Sequence, residues 1–443
     1  VKERVYKVGG MYGEALSKVV YWLEKALPYA ETEEQKLAIE KMIEFNKTGD
    51  LKTFNEYCIA WVKDLQSQVD YVNGFTEVYS DPLGITGSWE SMVNFKDIEA
   101  TKRTQIISAN AQWFEDHSTT DKKYKKEEVK GVSAKVITAA ILGGDCYPAT
   151  PIGINLPNAN WIRKEYGSKS VTIDNLMHAY NEAAKGNGFN EEFMIDDAIR
   201  EQYNQYGAMC GDLHTDLHEC VGHGSGKLMP GITKDALKEH ASTVEEARAD
   251  LFGLYYMADP KMVELGLLPN GDAYKCYYYQ QMMNGLMTQL VRIEPGKNVE
   301  EAHMRNRQLI AQWVLQHATN NEVAIVERDG KHYLQINDYE GVRRLYGELL
   351  REIQRITSEG DYAAAAEIVE TYAVKVDQDL HREILDRYSH LNLAPYKGFV
   401  NPVYTAEYDK DGNITNVTLS YTEGYVEQHL RYSRDYSWLP DVN

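Results

Sequence analysis

The sequence predicts an α+β fold that is predominantly α. Three observations carry that prediction. Leu16, Val19, Val20, Leu23 and Leu27 form an apolar stripe at helical spacing near the start. Proline is scarce, at 12 of 443 residues, which suits a helix-rich chain. Residues 322–336 and 400–422 read instead as β-hairpins, turning at Asp329-Gly330 and Asp411-Gly412.

Taken in order, the first 70 residues read as helices. Residues 71–97 hold a loop with Glu77 and Tyr79, beside the turn signal Asp81-Pro82-Leu83-Gly84. Residues 100–140 read as helical, with a lysine-rich bend near 122–130. Residues 145–172 carry Pro, Gly and Asn and read as strands and turns. From 174 to 320 the pattern is mostly helical; after the first hairpin, helices resume to 390. The second hairpin precedes a last helix over 424–433. There is no internal repeat and no low-complexity tract.

Composition narrows the function classes. A chain of 443 residues has room for two to three domains. A net charge of −20 and a pI of about 5.1 argue against nucleic acid as a partner. No apolar run reaches membrane-spanning length; the longest, 132–144, is interrupted by Lys135. The five cysteines (Cys58, Cys146, Cys210, Cys220, Cys276) are odd in number, widely spaced and without a Cys-x-x-Cys. That argues against a disulfide framework and a cysteine-ligated metal, and favours a reducing compartment.

The chemistry concentrates at 218–250. Residues 218–223 read His-Glu-Cys-Val-Gly-His, and Glu246 follows within Glu-Glu-Ala-Arg-Ala-Asp (245–250). Two imidazoles and a carboxylate can hold zinc and leave one position open, which a hydrolytic enzyme requires. His218, His223 and Glu246 are the candidate ligands, with cobalt or manganese as alternative occupants. Glu219 is the candidate general base for a zinc-bound water.

The two histidines are five apart, not four. On a regular helix that spacing separates them by roughly 140° around the axis. A single π turn must absorb the extra residue, and Gly222 is the candidate place. The same residues have plainer uses. The histidines could lie on a helix surface, and Ser242-x-x-Glu245 or Thr243-x-x-Glu246 could be a capping box.

Together the motifs resemble those of the dipeptidyl peptidase III family, whose signatures are His-Glu-x-x-Gly-His and Glu-Glu-x-Arg-Ala-Glu/Asp. Gly74–Gly84, with Glu77 and Tyr79, is similar to a substrate-cleft segment of that family. Gly153–Asn158 is similar to its Ile-Asn-x-Pro-Asn strand, and Glu301–Arg307 to its His-Met-x-x-Arg segment. Gly360-Asp361 and Lys397–Pro402 extend the likeness weakly.

The resemblance implies roles. His218, His223 and Glu246 would ligate one zinc ion, and Glu219 would activate water. Tyr79 and His303 would donate to the oxyanion at the scissile carbonyl. Glu77, Asn155 and Asn158 would hold the substrate's ammonium end and first backbone groups. Arg307 and Lys397 would touch substrate further along. Glu245 and Asp250 would orient the ligand imidazoles. Each has a plainer alternative: a turn cap for Glu77 and Tyr79, a turn residue for each Asn, a buried helix residue for His303.

The implied fold has two lobes around a cleft that closes on substrate. A helical zinc-bearing lobe would take 98–138 and 185–395; a mixed lobe with a β-barrel core would take 1–97, 139–184 and 396–443. Family members carry a long segment before this point and this chain starts with Val, so an N-terminal part is expected to be missing, and any signal peptide with it. The short gap from His223 to Glu246 suggests a bacterial-type enzyme. Cys220 is either an exposed, modifiable thiol beside the metal or a small buried hydrophobe. The expected activity is release of dipeptides from the N-terminus of short oligopeptides, by a cytoplasmic monomer without membrane insertion. A zinc aminopeptidase and a peptide-binding protein with little catalysis are the alternatives.

Overall fold

In the computed structural model, the apolar stripe becomes the buried side of helix α1 (Gly13–Ala26), with Leu16, Val20 and Leu23 inside. Helices α2 (Glu33–Thr48) and α3 (Leu51–Lys63) follow. Their N-caps are Thr32 and Asp50, whose side chains accept from the backbone N–H of Gln35 and Lys52 at 3.0 and 2.9 Å. The structure describes residues 4–77, 88–129, 135–148, 153–391, 393 and 398–437. The chain forms two units: Val1–Asp97 with Lys135–Ala179 and Tyr396–Asn443, and Ile98–Ala134 with Tyr180–Pro395.

The first unit is built on a mixed sheet of β1 (Val69–Glu77), β2 (Ser88–Lys96), β3 (Lys135–Gly144), β4 (Gly153–Leu156) and β5 (Lys169–Ile173), ordered β1-β2-β3-β5-β4. β3 runs parallel to β5; the other pairs are antiparallel. Among the described residues this sheet is open, with β1 and β4 at its edges, where a barrel core was expected.

The expected helical stretch over 100–140 needs correction. It holds α4 (Ile98–Ala109) and α5 (Ala111–His117), and then enters β3 at Lys135. Adjacent Val136 and Ile137 are both buried, as in a strand covered on both faces. Such a strand reads as a continuous apolar run, which periodicity cannot tell from a helix.

The second unit is helical. α6 (Asp197–Leu217) starts at Asp196, whose side chain accepts from Ile199 N at 3.0 Å. Then come α7 (Ala241–Met257), α8 (Tyr274–Leu286) and α9 (Ala302–His317). The expected hairpin is β6 (Val323–Arg328) paired with β7 (Lys331–Ile336), turning at Asp329-Gly330. α10 (Tyr339–Glu359), α11 (Tyr362–Tyr372) and α12 (Gln378–Ser389) complete the unit.

α7 is buried on almost every side, from Thr243 and Val244 to Tyr256 and Met257, so it is the unit's central helix. Tyr278 of α8 reaches it, and Tyr279 of the same helix reaches β7. Their hydroxyls find carbonyl partners, Tyr278 at Leu254 O (2.6 Å) and Tyr279 at Leu334 O (2.9 Å), which lets such polar rings be buried. The first unit ends with the hairpin β8 (Val403–Tyr408) and β9 (Ile414–Ser420), then α13 (Tyr425–Tyr436). Buried Asn401 clips this segment to β3 by accepting from Leu142 N at 2.8 Å and donating to Leu142 O at 2.9 Å. Among the described residues, no helix is long and apolar enough to cross a membrane.

Candidate metal centre

α6 does not stop at Leu217 but passes into a π turn over His218–Gly222. The backbone N–H of His223 donates to His218 O at 3.0 Å, the i to i+5 bond of a π turn. The two imidazoles therefore stand 4.6 Å apart between ring centres, with their planes at 90°. Gly222 has a packing reason as well. A Cβ there would lie 2.9 Å from Ala249 O and 3.0 Å from Ala249 Cα, so only glycine lets the turn press onto α7.

α7 presents three carboxylates to that turn. Glu246 Oε2 lies 3.3 Å from His218 Nε2. Asp250 Oδ1 lies 2.7 Å from His218 Nδ1, and Glu245 Oε1 lies 2.8 Å from His223 Nδ1. Neighbours on a helix point roughly 100° apart, so Glu245 and Glu246 serve different imidazoles, while Asp250 returns to the face of Glu246 one turn on. The capping-box reading fails here. α7 begins after His240, which makes no side-chain cap bond, so Ser242 and Thr243 lie inside the helix.

These residues fit a metal. Ligand atoms of His218, His223 and Glu246 all lie within 4.8 Å of one another. Tetrahedral zinc with ordinary bond lengths separates its ligand atoms by roughly 3.3 Å. Each Nδ1 is held by its own carboxylate, so each imidazole turns its Nε2 edge inward, where a metal would displace the Nε2 proton. The surroundings also favour positive charge. Burial lowers the His218 pKa, but hydrogen bonds to Asp250 and Glu246 outweigh it and carry the group to about 10. Burial raises the Asp250 carboxyl, yet the His218 hydrogen bond and charge hold it well below the usual range. Glu245, pushed up by burial, is brought down to about 2 by its hydrogen bond to His223 and by Arg248.

Arg248 is a structural participant that sequence reasoning missed. Its buried guanidinium donates to both Glu245 oxygens, at 2.9 and 2.7 Å. It also reaches His223 O at 3.2 Å and Ser225 O at 3.0 Å. One side chain thus ties α7 to the end of the π turn. Its place one turn after Glu245 was the available signal.

Glu219 is half-buried on the π turn, and its charge acts on His218. His303, near the start of α9, brings Nε2 to 3.8 Å from Glu246 Oε2. Its Nδ1 is held by Glu301 Oε1 at 2.6 Å, and Glu301 also caps α9 through His303 N and Met304 N. Sequence reasoning gave Glu301 no role, although a Glu two positions before the His could have suggested one. Arg307, one turn further, acts electrostatically on Asp250. Cys220 is fully buried in the core, the plainer of its two readings.

The other candidates belong to the first unit. Glu77 ends β1 opposite Ser88, and Asn155 pairs with Ser170 in β4. Asn158 donates to Thr76 O at 2.9 Å, beside a cavity of about 160 Å³ lined by Phe75, Trp61 and Pro157. Tyr79 and Lys397 lie outside the described residues.

Two imidazoles and one carboxylate converge from two elements, each imidazole backed by a further carboxylate: a centre of the two-His, one-Glu class. The model of peptidase family M49 matches residues 2–238 and 230–386, and the chain belongs to that family. Dipeptidyl peptidase 3 of Dictyostelium discoideum is 29% identical over 315 residues, covering 62% of this chain and 43% of that protein. Dipeptidyl peptidase 3 of Homo sapiens is 26% identical over 411 residues, covering 83% and 54%. The chain spans about half the length of these curated relatives. The solved DPP III of Caldithrix abyssi shares the fold, with a TM-score of 0.69 at 23% identity over 85% of this chain and 69% of that one. The DPP III of Corallococcus sp. strain EGB does so at 0.60 and 20%, over 87% and 68%.

Proposed function

We propose that this protein is a zinc-dependent exopeptidase that releases dipeptides from the N-terminus of short oligopeptides. The observation that carries the reading is the convergence of His218, His223 and Glu246, with Asp250 and Glu245 on the outer imidazole nitrogens. Zinc bound there would supply a Lewis acid that polarises a peptide carbonyl and acidifies water.

The chain's own residues do the rest. Glu219 takes a proton from the attacking water and passes one to the leaving amine. His303, its ring set by Glu301, donates to the developing oxyanion, with Tyr79 as the second donor. Glu77, Asn155 and Asn158 hold the substrate's ammonium and first backbone groups; Arg307 and Lys397 contact it further along. The helical unit is the metal-bearing lobe and the mixed unit the substrate-holding lobe. The net charge of −20 suits a cationic peptide end rather than nucleic acid. All five cysteines are buried, which suits a monomer in a reducing compartment such as the cytoplasm.

The test is mass spectrometry of a pentapeptide incubated with zinc-loaded protein, with and without chelator. Chelator-sensitive release of an intact N-terminal dipeptide is expected. Release of single residues would make it an aminopeptidase, and zinc binding without cleavage a peptide-binding protein.

A further inference from the structure

One turn before His218 on α6, and outside the ligand set, lies a third imidazole. His214 is buried, at 5% exposure. Its Nε2 lies 3.2 Å from the backbone O of Asp250 and 3.8 Å from Asp250 Oδ1, the oxygen that also bonds His218. Its Nδ1 lies 3.1 Å from the hydroxyl of Tyr277 on α8, and that hydroxyl lies 2.7 Å from Gln281 Nε2.

These partners fix the direction of every bond. A backbone carbonyl only accepts, so His214 Nε2 carries the proton. With its proton on Nε2, the neutral ring has its lone pair on Nδ1, the nitrogen that faces Tyr277. Tyr277 must then donate to Nδ1, and its oxygen accepts from the Gln281 amide. The result is a one-way chain from α8 through α6 to α7, ending at the residue that grips His218. Gly253 makes room for it: a Cβ there would lie 2.9 Å from His214 Cδ2 and 3.1 Å from Nε2.

We infer that His214 is a positioning residue of the metal centre: braced by Tyr277, it seats Asp250 so that Asp250 orients His218 with Nε2 toward the ion. This rests on the metal reading above. Any buried imidazole needs partners for its nitrogens; what marks this one is that its Nε2 partner is Asp250, the residue that holds His218. His214 never touches the ion, and its influence passes entirely through Asp250.

The test compares zinc affinity by chelator competition, the visible spectrum of the cobalt-loaded protein, and unfolding of the metal-free protein. His214→Leu removes both bonds; His214→Gln can keep a donor toward Asp250 and an acceptor for Tyr277. Removing a residue that bonds a ligand weakens metal binding by about 10- to 100-fold; His214 stands one step further out, so a loss near the lower end, about 10-fold, is expected for His214→Leu, with a shifted cobalt spectrum. His214→Gln is expected to recover affinity to within about threefold of the unmodified protein. A purely structural role would lower the unfolding midpoint of the metal-free protein and leave zinc affinity and cobalt spectrum unmoved, and that result overturns the inference. Should His214→Leu fail to fold, Tyr277→Phe, which removes one hydroxyl, decides: affinity weakened by about threefold or more supports the inference, and unchanged affinity overturns it. If the unmodified protein binds no zinc, the metal reading falls and this inference with it.

Discussion

The backbone N–H of His223 donates to the carbonyl of His218 at 3.0 Å, and this single bond lets imidazoles five positions apart face one another. Gly222 supports it, because the backbone of Ala249 leaves no room for a Cβ. Gly222→Ala is therefore expected to destabilise the metal-free protein by about 1–3 kcal/mol through overpacking. It should also weaken zinc binding, since the turn cannot seat on the helix that bears Glu246. Denaturant unfolding and chelator competition check both effects; unchanged values in each would show that the turn tolerates the methyl.

The ligand and base assignments separate cleanly. Glu246→Ala removes one of three converging donors, so stoichiometric zinc should be lost in equilibrium dialysis. Glu219→Gln should keep zinc while peptide turnover falls by about 10²- to 10⁴-fold, the contribution of a general base. Normal turnover in the Gln variant would remove Glu219 from that role.

Much of this is legible in the sequence. The five-residue spacing of His218 and His223 demands a π turn, because no regular helix aims both rings at one point. Asp329-Gly330 between alternating residues marks a hairpin by local chemistry alone. Non-local facts were harder to read. Val136 and Ile137 look helical because a strand covered on both faces has no alternation to show. Ser242 and Thr243 fit a capping pattern, but the helix starts earlier, and Glu245 is drawn instead to His223 and Arg248. The pairing of His214 with Tyr277 spans 63 positions, so no window on the sequence contains both.

Arg248 is the next residue to test. It is buried, holds both Glu245 oxygens and reaches carbonyls at His223 and Ser225. Arg248→Met keeps the bulk but leaves those acceptors without their donor, which costs about 1–3 kcal/mol for a group so placed. Because Glu245 then loses its anchor, His223 should also be less well held. Zinc affinity is expected to fall alongside the unfolding midpoint, and a variant as stable as the unmodified protein would contradict the bonding described.

Acid stability should be set partly by a cluster remote from the metal centre. Buried Arg387 donates to Glu192 at 2.7 Å and to Glu383 at 2.9 Å, and Lys331 reaches Glu192 at 2.9 Å. Burial alone would raise the Glu192 carboxyl, but Lys331 and Arg387 outweigh it and hold it below the usual value. Glu383 is lowered in the same way, with His332 as its main partner. A carboxyl whose folded pKa is depressed contributes stability that is complete above its unfolded pKa, about 4.3, and is lost as pH falls through the folded value. Unfolding midpoints should therefore fall steeply below about pH 4.3. Glu192→Gln should be less stable at neutral pH yet show a shallower acid slope, because it no longer has that proton to take up. Midpoints measured from about pH 7 to about pH 3 decide it: an acid slope in Glu192→Gln equal to that of the unmodified protein would place the acid-sensitive group elsewhere.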